Sequence, residues 1–189
     1  MMETLVELDK ELFILLNSLG NPNWDGFWMF ATNKFSSIPV YILLLFLTYR
    51  QFGLRKTLLV TITAILLIVA TNGLADFFKY GVQRLRPCYD PELDGMLRLV
   101  KKSCGGKYGY FSAHAANSFA IAFFFTHILR PNIKYIGFPL VLWAMVVAYS
   151  RIYIGVHFPL DILTGAMVGL LFSWLFAKLY IFAVHKYHL

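Results

Sequence analysis

The sequence predicts an all-α, polytopic membrane bundle of about five transmembrane helices, preceded by an amphipathic helix at the membrane interface. Hydrophobic residues make up 59 % of the 189 residues, and charged residues make up only 14 %. A soluble domain usually carries about 25 % charged residues, so much of this surface must face a medium other than water. The apolar residues form long segments with short polar connectors, and hydrocarbon tolerates only helices or closed barrels. The length favours a single domain over residues 1–189.

The N-terminal region, residues 1–33, is predicted to lie in the membrane interface. Leucines recur at helical spacing between residues 3 and 19, with charged residues between them, which is typical of an amphipathic helix. These leucines are Leu5, Leu8, Leu12, Leu15 and Leu16. The segment carries too many charges to cross a bilayer, and Asn21-Pro22-Asn23 ends it.

Five apolar segments are predicted to span the membrane. The first ends at Tyr49 and must recruit part of 24–37, because the strongly apolar segment 38–48 is shorter than the roughly 20 residues of a span. The other four are predicted at 57–78, 113–129, 135–149 and 159–184. Tight connectors at 50–56 and 130–134 then lie on one side of the membrane, and the longer connectors lie on the other.

The loop 87–111 is predicted to be non-cytoplasmic. A count of its Lys and Arg residues alone would place it in the cytoplasm. The only two cysteines, Cys88 and Cys104, both lie in this loop, which favours a disulfide and therefore an oxidising compartment. Closing such a loop would add about 3 kcal/mol of stability in the chain-entropy model. Two unpaired thiols are the alternative.

The net charge of +7 favours anionic partners. No long run of Lys and Arg exists, and the helices are too apolar for a nucleic-acid module. Lipid headgroups and phosphate substrates are therefore the expected partners, together with the bilayer itself.

A basic stretch follows the second predicted span. If the helix continues to Pro87, Lys79, Gln83 and Arg86 share one helical face, because two turns take about 7.2 residues. Such a face could bind phosphate. The alternative is a basic span end whose side chains extend toward the interface.

The third predicted span begins at a polar residue and a histidine. Ser112 is a candidate N-cap, which places His114 in the first helical turn. Free amides and the helix dipole favour an anion there, so the histidine could meet a phosphoryl group. The alternative is an interfacial histidine that serves as a polar cap.

The connector before the fifth predicted span carries the remaining polar residues. Arg151 offers a planar guanidinium suited to phosphate oxygens, and Pro159 fits the first position of a helix. Asp161 is placed to turn back toward His157 and fix its tautomer. The alternative is an ion pair that ties two spans together.

The three stretches lie at span ends on one predicted membrane face, and together they resemble the signature of the PAP2 phosphatase superfamily. The matching residues are Lys79-x6-Arg86-Pro87, Ser112-x-His114 and Ser150-Arg151-x5-His157-x3-Asp161. The resemblance covers 72–165 by motif and the rest by span pattern. One departure lies in the second part, where the family usually reads Pro-Ser-Gly-His and this chain has Phe111-Ser112-Ala113-His114.

The resemblance implies a role for each matching residue. His114 attacks phosphorus, His157 protonates the leaving oxygen and then activates water, and Asp161 orients His157. The phosphate-binding groups are Lys79, Arg86, Arg151, Ser112 and the backbone amide of Ala113. These fixed cations perform the electrostatic work that metal ions supply elsewhere, so neither a metal nor another cofactor is expected.

The expected activity is hydrolysis of a membrane lipid phosphate or diphosphate, first of all a polyprenyl diphosphate such as undecaprenyl diphosphate. Phosphatidylglycerol phosphate, phosphatidic acid and lipid A phosphates stay open. Two alternatives are a lipid phosphotransferase with the same site and a non-enzymatic transporter or haem protein. The resemblance to bacterial enzymes and the oxidising loop predict an inner-membrane protein whose active site faces the periplasm. The oligomeric state stays open.

Overall fold

The described part of the chain, residues 2–188 of a computed structural model, is helical and contains no β-strand. Six α-helices cover most of it: α1 (Met2–Ser18), α2 (Pro22–Ala31), α3 (Ile38–Val82), α4 (Ala113–Leu129), α5 (Gly137–Tyr153) and α6 (Pro159–Lys186). Short 3₁₀ turns occupy Lys34–Ser37, Pro87–Tyr89 and Pro91–Leu93. The predicted all-α class is confirmed.

Helix α3 reverses direction at Gly53. This residue has φ 75° and ψ −179°, a conformation that glycine adopts without the steric cost of a Cβ. Tyr41 and Ile68 line one cavity, whereas in a straight helix they would be about 40 Å apart at 1.5 Å per residue. The arms 38–52 and 54–82 therefore lie side by side and overlap the first two predicted spans. Of the segment 24–37, which the first span was predicted to recruit in part, residues 24–31 belong to the separate helix α2, and Lys34–Ser37 leads directly into α3.

The C-terminal arm of α3 ends earlier than predicted. The helix stops at Val82, and Gln83 adopts a left-handed conformation with φ 54°. The interpretation of Lys79 and Arg86 as residues on one face of a continuous helix is therefore wrong. Arg86 instead lies in a loop, where its backbone N–H donates to the carbonyl of Lys107 at 3.1 Å.

The core lies between α3, α4, α5 and α6. Helix α4 is buried on almost every side, and its buried residues include Ile121, Phe124 and Phe125. Two segments, Lys34–Val82 and Pro159–Lys186, are long and apolar enough to cross a membrane. The apolar helices α4 and α5 have 17 residues each.

Helix α1 docks on the protein by its polar edge. Asp9, Phe13 and Asn17 are buried, and they follow one another at intervals of one helical turn. The Nδ2 amide of Asn17, which has two N–H groups, lies within hydrogen-bond distance of three backbone carbonyls, those of Arg98, Ile152 and Tyr153. The outer edge carries leucines that are at least 45 % exposed: Leu5, Leu8, Leu12 and Leu15. The amphipathic helix exists as predicted, but its buried edge is the one that holds Asp9 and Asn17.

Candidate active site

The start of α6 brings His157 and Asp161 together. Pro159 opens the helix, as predicted, and Asp161 lies in its first turn. Nδ1 of His157 lies 3.3 Å from Oδ2 of Asp161, and the backbone N–H of Phe158 donates to the same oxygen at 3.1 Å. Both side chains are almost completely buried. With Nδ1 facing the carboxylate, Nε2 is the nitrogen left to face a substrate.

His114 lies in the first turn of α4, behind the predicted N-cap. The Ser112 side chain accepts from the amide of Ala115, and the Ser112 amide donates to the carbonyl of Asp161 at 3.0 Å. This second bond ties the start of α4 to the start of α6. His114 is within electrostatic range of several groups from other elements: Arg151, His157, Lys101 and Arg86. The two predicted histidines therefore lie at the same end of the bundle.

Arg151, on the last turn of α5, is buried and only partly paired. Its Nη1 donates to Oγ1 of Thr32 at 2.5 Å. Among residues 2–188, its Nε has no hydrogen-bond partner. A buried N–H of a guanidinium normally has an acceptor, since leaving one unpaired is costly. An anion in the site would supply that acceptor.

The loop after α3 places Arg86 beside the buried pair. Its Nη1 donates to the carbonyl of Cys104 at 2.9 Å, and its Nε donates to the carbonyl of Tyr108 at 3.2 Å. Gly109 lies between Arg86 and His157. A Cβ added to Gly109 would lie 3.0 Å from Cγ of Arg86, 3.3 Å from Oδ2 of Asp161 and 3.5 Å from Nδ1 of His157.

Lys79 lies on the last turn of α3 and pairs with Asp76 at 2.8 Å. Lys79 is close enough to His157 to interact with it electrostatically, as are Arg151 and Arg86. Burial, reinforced by these cations, holds the pKa of His157 well below its ordinary value of 6.5. His157 is therefore neutral near pH 7 until an anion offsets the surrounding positive charge.

A cavity of about 380 Å³ opens beside His114, between α2, α3, α4 and α5. Its walls mix polar, aromatic and aliphatic side chains, and the aliphatic ones are Ala31, Ile68, Ala113 and Val147. The polar residues are Thr32, Asn33, Lys34, Ser37, Asn72, Asn117 and Ser118, and the aromatic residues are Tyr41 and Trp143. The Asn117 amide donates to Asn72 at 2.9 Å, and Thr71 is hydrogen-bonded to Asn117. The cavity is thus large enough for part of a headgroup and offers it hydrogen bonds.

Three residues at this site carry no sequence signal of their own. Asp9 and Arg84 look like solvated charges of an amphipathic helix and of a basic span end, and Thr32 precedes no recognisable motif. In the structure, Arg84 donates to Asp161 at 2.9 Å and to Asp9 at 2.5 Å. Only the path of the chain brings these residues to the histidines.

The loop cysteines, Cys88 and Cys104, have Cα atoms 6.3 Å apart. This separation lies within the usual range of disulfides, about 4.4–6.8 Å. The disulfide stays a prediction, now with a compatible backbone. The same loop supplies Arg86 and Gly109, so a crosslink here would stiffen one wall of the site.

Comparison with known proteins gives matches along most of the chain. The sequence model described as the PAP2 superfamily matches residues 55–184. The lipid A 4'-phosphatase of Bacteroides thetaiotaomicron is 32 % identical, over 98 % of this chain and 81 % of that protein. The undecaprenyl-diphosphatase of Sulfolobus acidocaldarius is 28 % identical, over 92 % of this chain and 77 % of that protein.

A solved structure shares the fold. The crystal structure of a transmembrane PAP2 type phosphatidylglycerolphosphate phosphatase from Bacillus subtilis matches with a TM-score of 0.72, over 93 % of this chain and 86 % of that chain. The sequence identity is 19 %, so this match shows a shared arrangement of the helices.

Proposed function

Because the chain belongs to the PAP2 superfamily and is a phosphatase, we propose that it removes phosphate from a lipid-linked sugar of the lipid A type through a phosphohistidine on His114. The observation that carries this proposal is the meeting of three groups at one end of the bundle. These are the His157–Asp161 pair, the buried Arg151 with its unpaired Nε, and His114 at the start of α4.

The first step transfers the phosphoryl group to the enzyme. A ring nitrogen of His114 forms a bond to phosphorus, while the bond between phosphorus and the ester oxygen breaks. His157 gives its proton to that oxygen, which leaves as the alcohol. The phosphate dianion itself prepares this step, because its charge offsets the cations that hold the pKa of His157 down.

The second step frees the enzyme. Water attacks the phosphorus, His157 takes a proton from that water, and the bond between phosphorus and nitrogen breaks to release inorganic phosphate. Arg86, Arg151 and Lys79 surround the reacting group and stabilise the charge on its equatorial oxygens in both transition states. Ser112 and the amide of Ala113 complete the binding site for the phosphate.

The cavity walls favour a sugar phosphate over a polyprenyl diphosphate. Hydroxyl-bearing substrates need hydrogen-bonding partners and stack well on aromatic rings, and this cavity supplies both beside His114. The extended similarity to a lipid A 4'-phosphatase points the same way. A polyprenyl diphosphate is the second candidate, favoured by the similarity to an undecaprenyl-diphosphatase.

The proposed setting is a bacterial inner membrane, with the active site facing the periplasm. Five spans would arise from the two arms of α3 and from α4, α5 and α6. The loop 87–111 and the N-terminal region 1–33 would then lie on the periplasmic side, where the pair Cys88–Cys104 can oxidise. We assign all of these segments to one domain over residues 1–189.

The test is release of inorganic phosphate from purified protein in detergent micelles. The substrates are lipid A, undecaprenyl diphosphate, phosphatidylglycerol phosphate and phosphatidic acid, each supplied alone. We expect the highest kcat/KM with lipid A and no turnover by a folded His114→Asn variant. Substantial activity in that variant would remove the nucleophile assignment. Transfer of labelled phosphate to an acceptor lipid without release would identify a phosphotransferase instead.

A further inference from the structure

Arg84 links the N-terminal helix to the buried histidine–aspartate pair. Its Nη1 donates to Oδ1 of Asp161 at 2.9 Å, and its Nη2 donates to Oδ2 of Asp9 at 2.5 Å. The guanidinium also lies over the ring of Phe158, 4.3 Å from its centroid. Two carboxylates and an aromatic face thus fix one cation.

Asp9, the second carboxylate bound to Arg84, is itself held by a further hydrogen bond. It is 4 % exposed, and its Oδ1 accepts from the backbone N–H of Leu160 at 2.8 Å. Phe13, one turn later on α1, packs edge to face against Phe158 at 5.3 Å. Asp9 and Asp161 therefore each hold one amide of the first turn of α6, and Arg84 joins them into a closed hydrogen-bonded ring.

We propose that Arg84 and Asp9 are positioning residues for catalysis, acting on His157 through Asp161. The inference rests on the proposed function, because it assigns a role within the same reaction. Arg84 keeps the Asp161 carboxylate charged and aimed at Nδ1 of His157, and Asp9 keeps Arg84 in place. Helix α1 is by this inference part of the catalytic apparatus.

The physical reason is the cost of a buried carboxylate. Asp161 is fully buried, and a buried charge is tolerated only with a counter-charge and hydrogen bonds. Arg84 supplies both. Without it, Asp161 takes up a proton more readily, and a protonated carboxyl is a weaker acceptor for the Nδ1–H of His157 and can itself donate to that nitrogen. The imidazole would then lose the tautomer and orientation that the reaction requires.

Other charged groups also surround the His157–Asp161 pair and influence the protonation of both residues. Asp161 faces Arg84 and Arg86 from the loop after α3, Asp9 from α1 and His157 from the preceding connector. His157 faces Arg151 from α5, Arg86 from the loop, Lys79 from α3 and His114 from α4. Of these cations, Arg84 is the one hydrogen-bonded to Asp161 within residues 2–188.

The alternative is that the ring only anchors α1 to the bundle. The chain offers a matched control, because Arg98 makes a guanidinium–carboxylate bond to Asp25 of α2 at 2.5 Å. This pair also ties an N-terminal helix to the long loop, but within residues 2–188 neither side chain is hydrogen-bonded to Asp161 or His157. A purely anchoring role predicts equal effects from the two arginines.

The experiment measures kcat and KM across pH for Arg84→Gln, Arg84→Lys, Asp9→Asn and Arg98→Gln, with lipid A in micelles. We expect Arg84→Gln to lower kcat by at least about tenfold, since positioned acid–base groups contribute about 10²–10⁴-fold. The acidic limb of its kcat profile should move to higher pH, while KM stays within about twofold. Arg84→Lys should restore part of kcat, and Asp9→Asn should move the limb in the same direction by less.

Two results would overturn the inference. One is a wild-type kcat profile in Arg84→Gln or, where that variant does not fold, in both Arg84→Lys and Asp9→Asn. The other is an equal shift of the acidic limb in Arg98→Gln, which would mean general loosening. These results differ from the one expected if the proposed function itself is wrong, because the wild-type protein would then release no phosphate from lipid A.

Discussion

Thr32 and Arg151 are 119 positions apart in the chain, yet the Thr32 hydroxyl accepts a hydrogen bond from Nη1 of Arg151 at 2.5 Å. Thr32 is the C-cap residue of α2, and Arg151 lies on the last turn of α5. The bond fixes one side of the guanidinium, while the buried Nε has no hydrogen-bond partner among residues 2–188. A residue of the N-terminal region thus holds Arg151, the proposed phosphate-binding group, in place.

Thr32→Val should weaken catalysis by freeing Arg151. A hydrogen bond to a charged group contributes about 1.5–3 kcal/mol, so we expect kcat/KM to fall by about tenfold or more. Thr32→Ser keeps the hydroxyl and serves as the control, with kcat/KM near that of the wild type. Equal activity in the valine and serine variants would contradict the assigned role of Thr32.

Gly109→Ala should damage the site by crowding it. The added methyl group would meet Cγ of Arg86 at 3.0 Å and Oδ2 of Asp161 at 3.3 Å, both in the proposed catalytic centre. Overpacking of this kind costs about 1–3 kcal/mol of stability. Because the strain is relieved only if Arg86 or Asp161 moves, we also expect kcat to fall by roughly tenfold. Gly106→Ala, three residues earlier, meets no atom within 4 Å and should keep wild-type kcat.

Stability should fall as the pH drops below about 6.5 because of His157. Its pKa is depressed in the folded protein, so below its ordinary value of 6.5 the unfolded chain binds a proton that the folded protein does not. The loss approaches about 1.4 kcal/mol per pH unit for this one group. Thermal melting in detergent from neutral to acidic pH measures it.

Two comparisons isolate this effect of His157. His157→Gln should show a flatter dependence of the melting temperature on pH than the wild type. Added inorganic phosphate should stabilise the wild type most at acidic pH, because an anion in the site favours the protonated ring. A steeper dependence in the glutamine variant would refute the assignment.

The cysteine pair should stabilise the loop that carries Arg86 and Gly109. If Cys88 and Cys104 are oxidised, reduction or the substitution Cys88→Ser should lower the free energy of unfolding by about 3 kcal/mol. Mass spectrometry of protein that is purified from the membrane fraction and alkylated without reduction counts the free thiols. Two alkylated thiols in the native protein would show that the crosslink does not form.

Sequence reasoning predicts the local geometry of the candidate site correctly where the motif fixes both residue type and spacing. Ser112 caps α4, Pro159 opens α6, and Asp161 reaches back to His157, all through local helix geometry. The stretch from Lys79 to Arg86 shows the limit of such reasoning. A continuous helix would place Lys79 and Arg86 on one face. Instead, Gln83 adopts a left-handed conformation, and the chain continues as a loop in which Leu85 pairs with Tyr108.

The orientation of α1 could not be predicted for a different reason. Hydrophobic periodicity separates apolar from polar edges, but it does not tell whether the apolar edge meets protein or lipid. Here the leucine edge faces outward, and the buried edge carries Asp9 and Asn17 because partners for them exist on distant elements. The roles of Arg84 and Thr32 could not be predicted for the same reason, since their hydrogen-bond partners are more than 70 positions away in the chain.

The single-residue reversal at Gly53 has a consequence for biosynthesis. Because no loop separates the arms 38–52 and 54–82, their ends stay adjacent from the moment both are helical. In the proposed membrane arrangement, the flanking cations Arg50, Arg55 and Lys56 would keep the tip of this helical hairpin in water. The two arms would then enter the lipid as one unit, and a substitution that straightens the tip would misplace the helices that follow it.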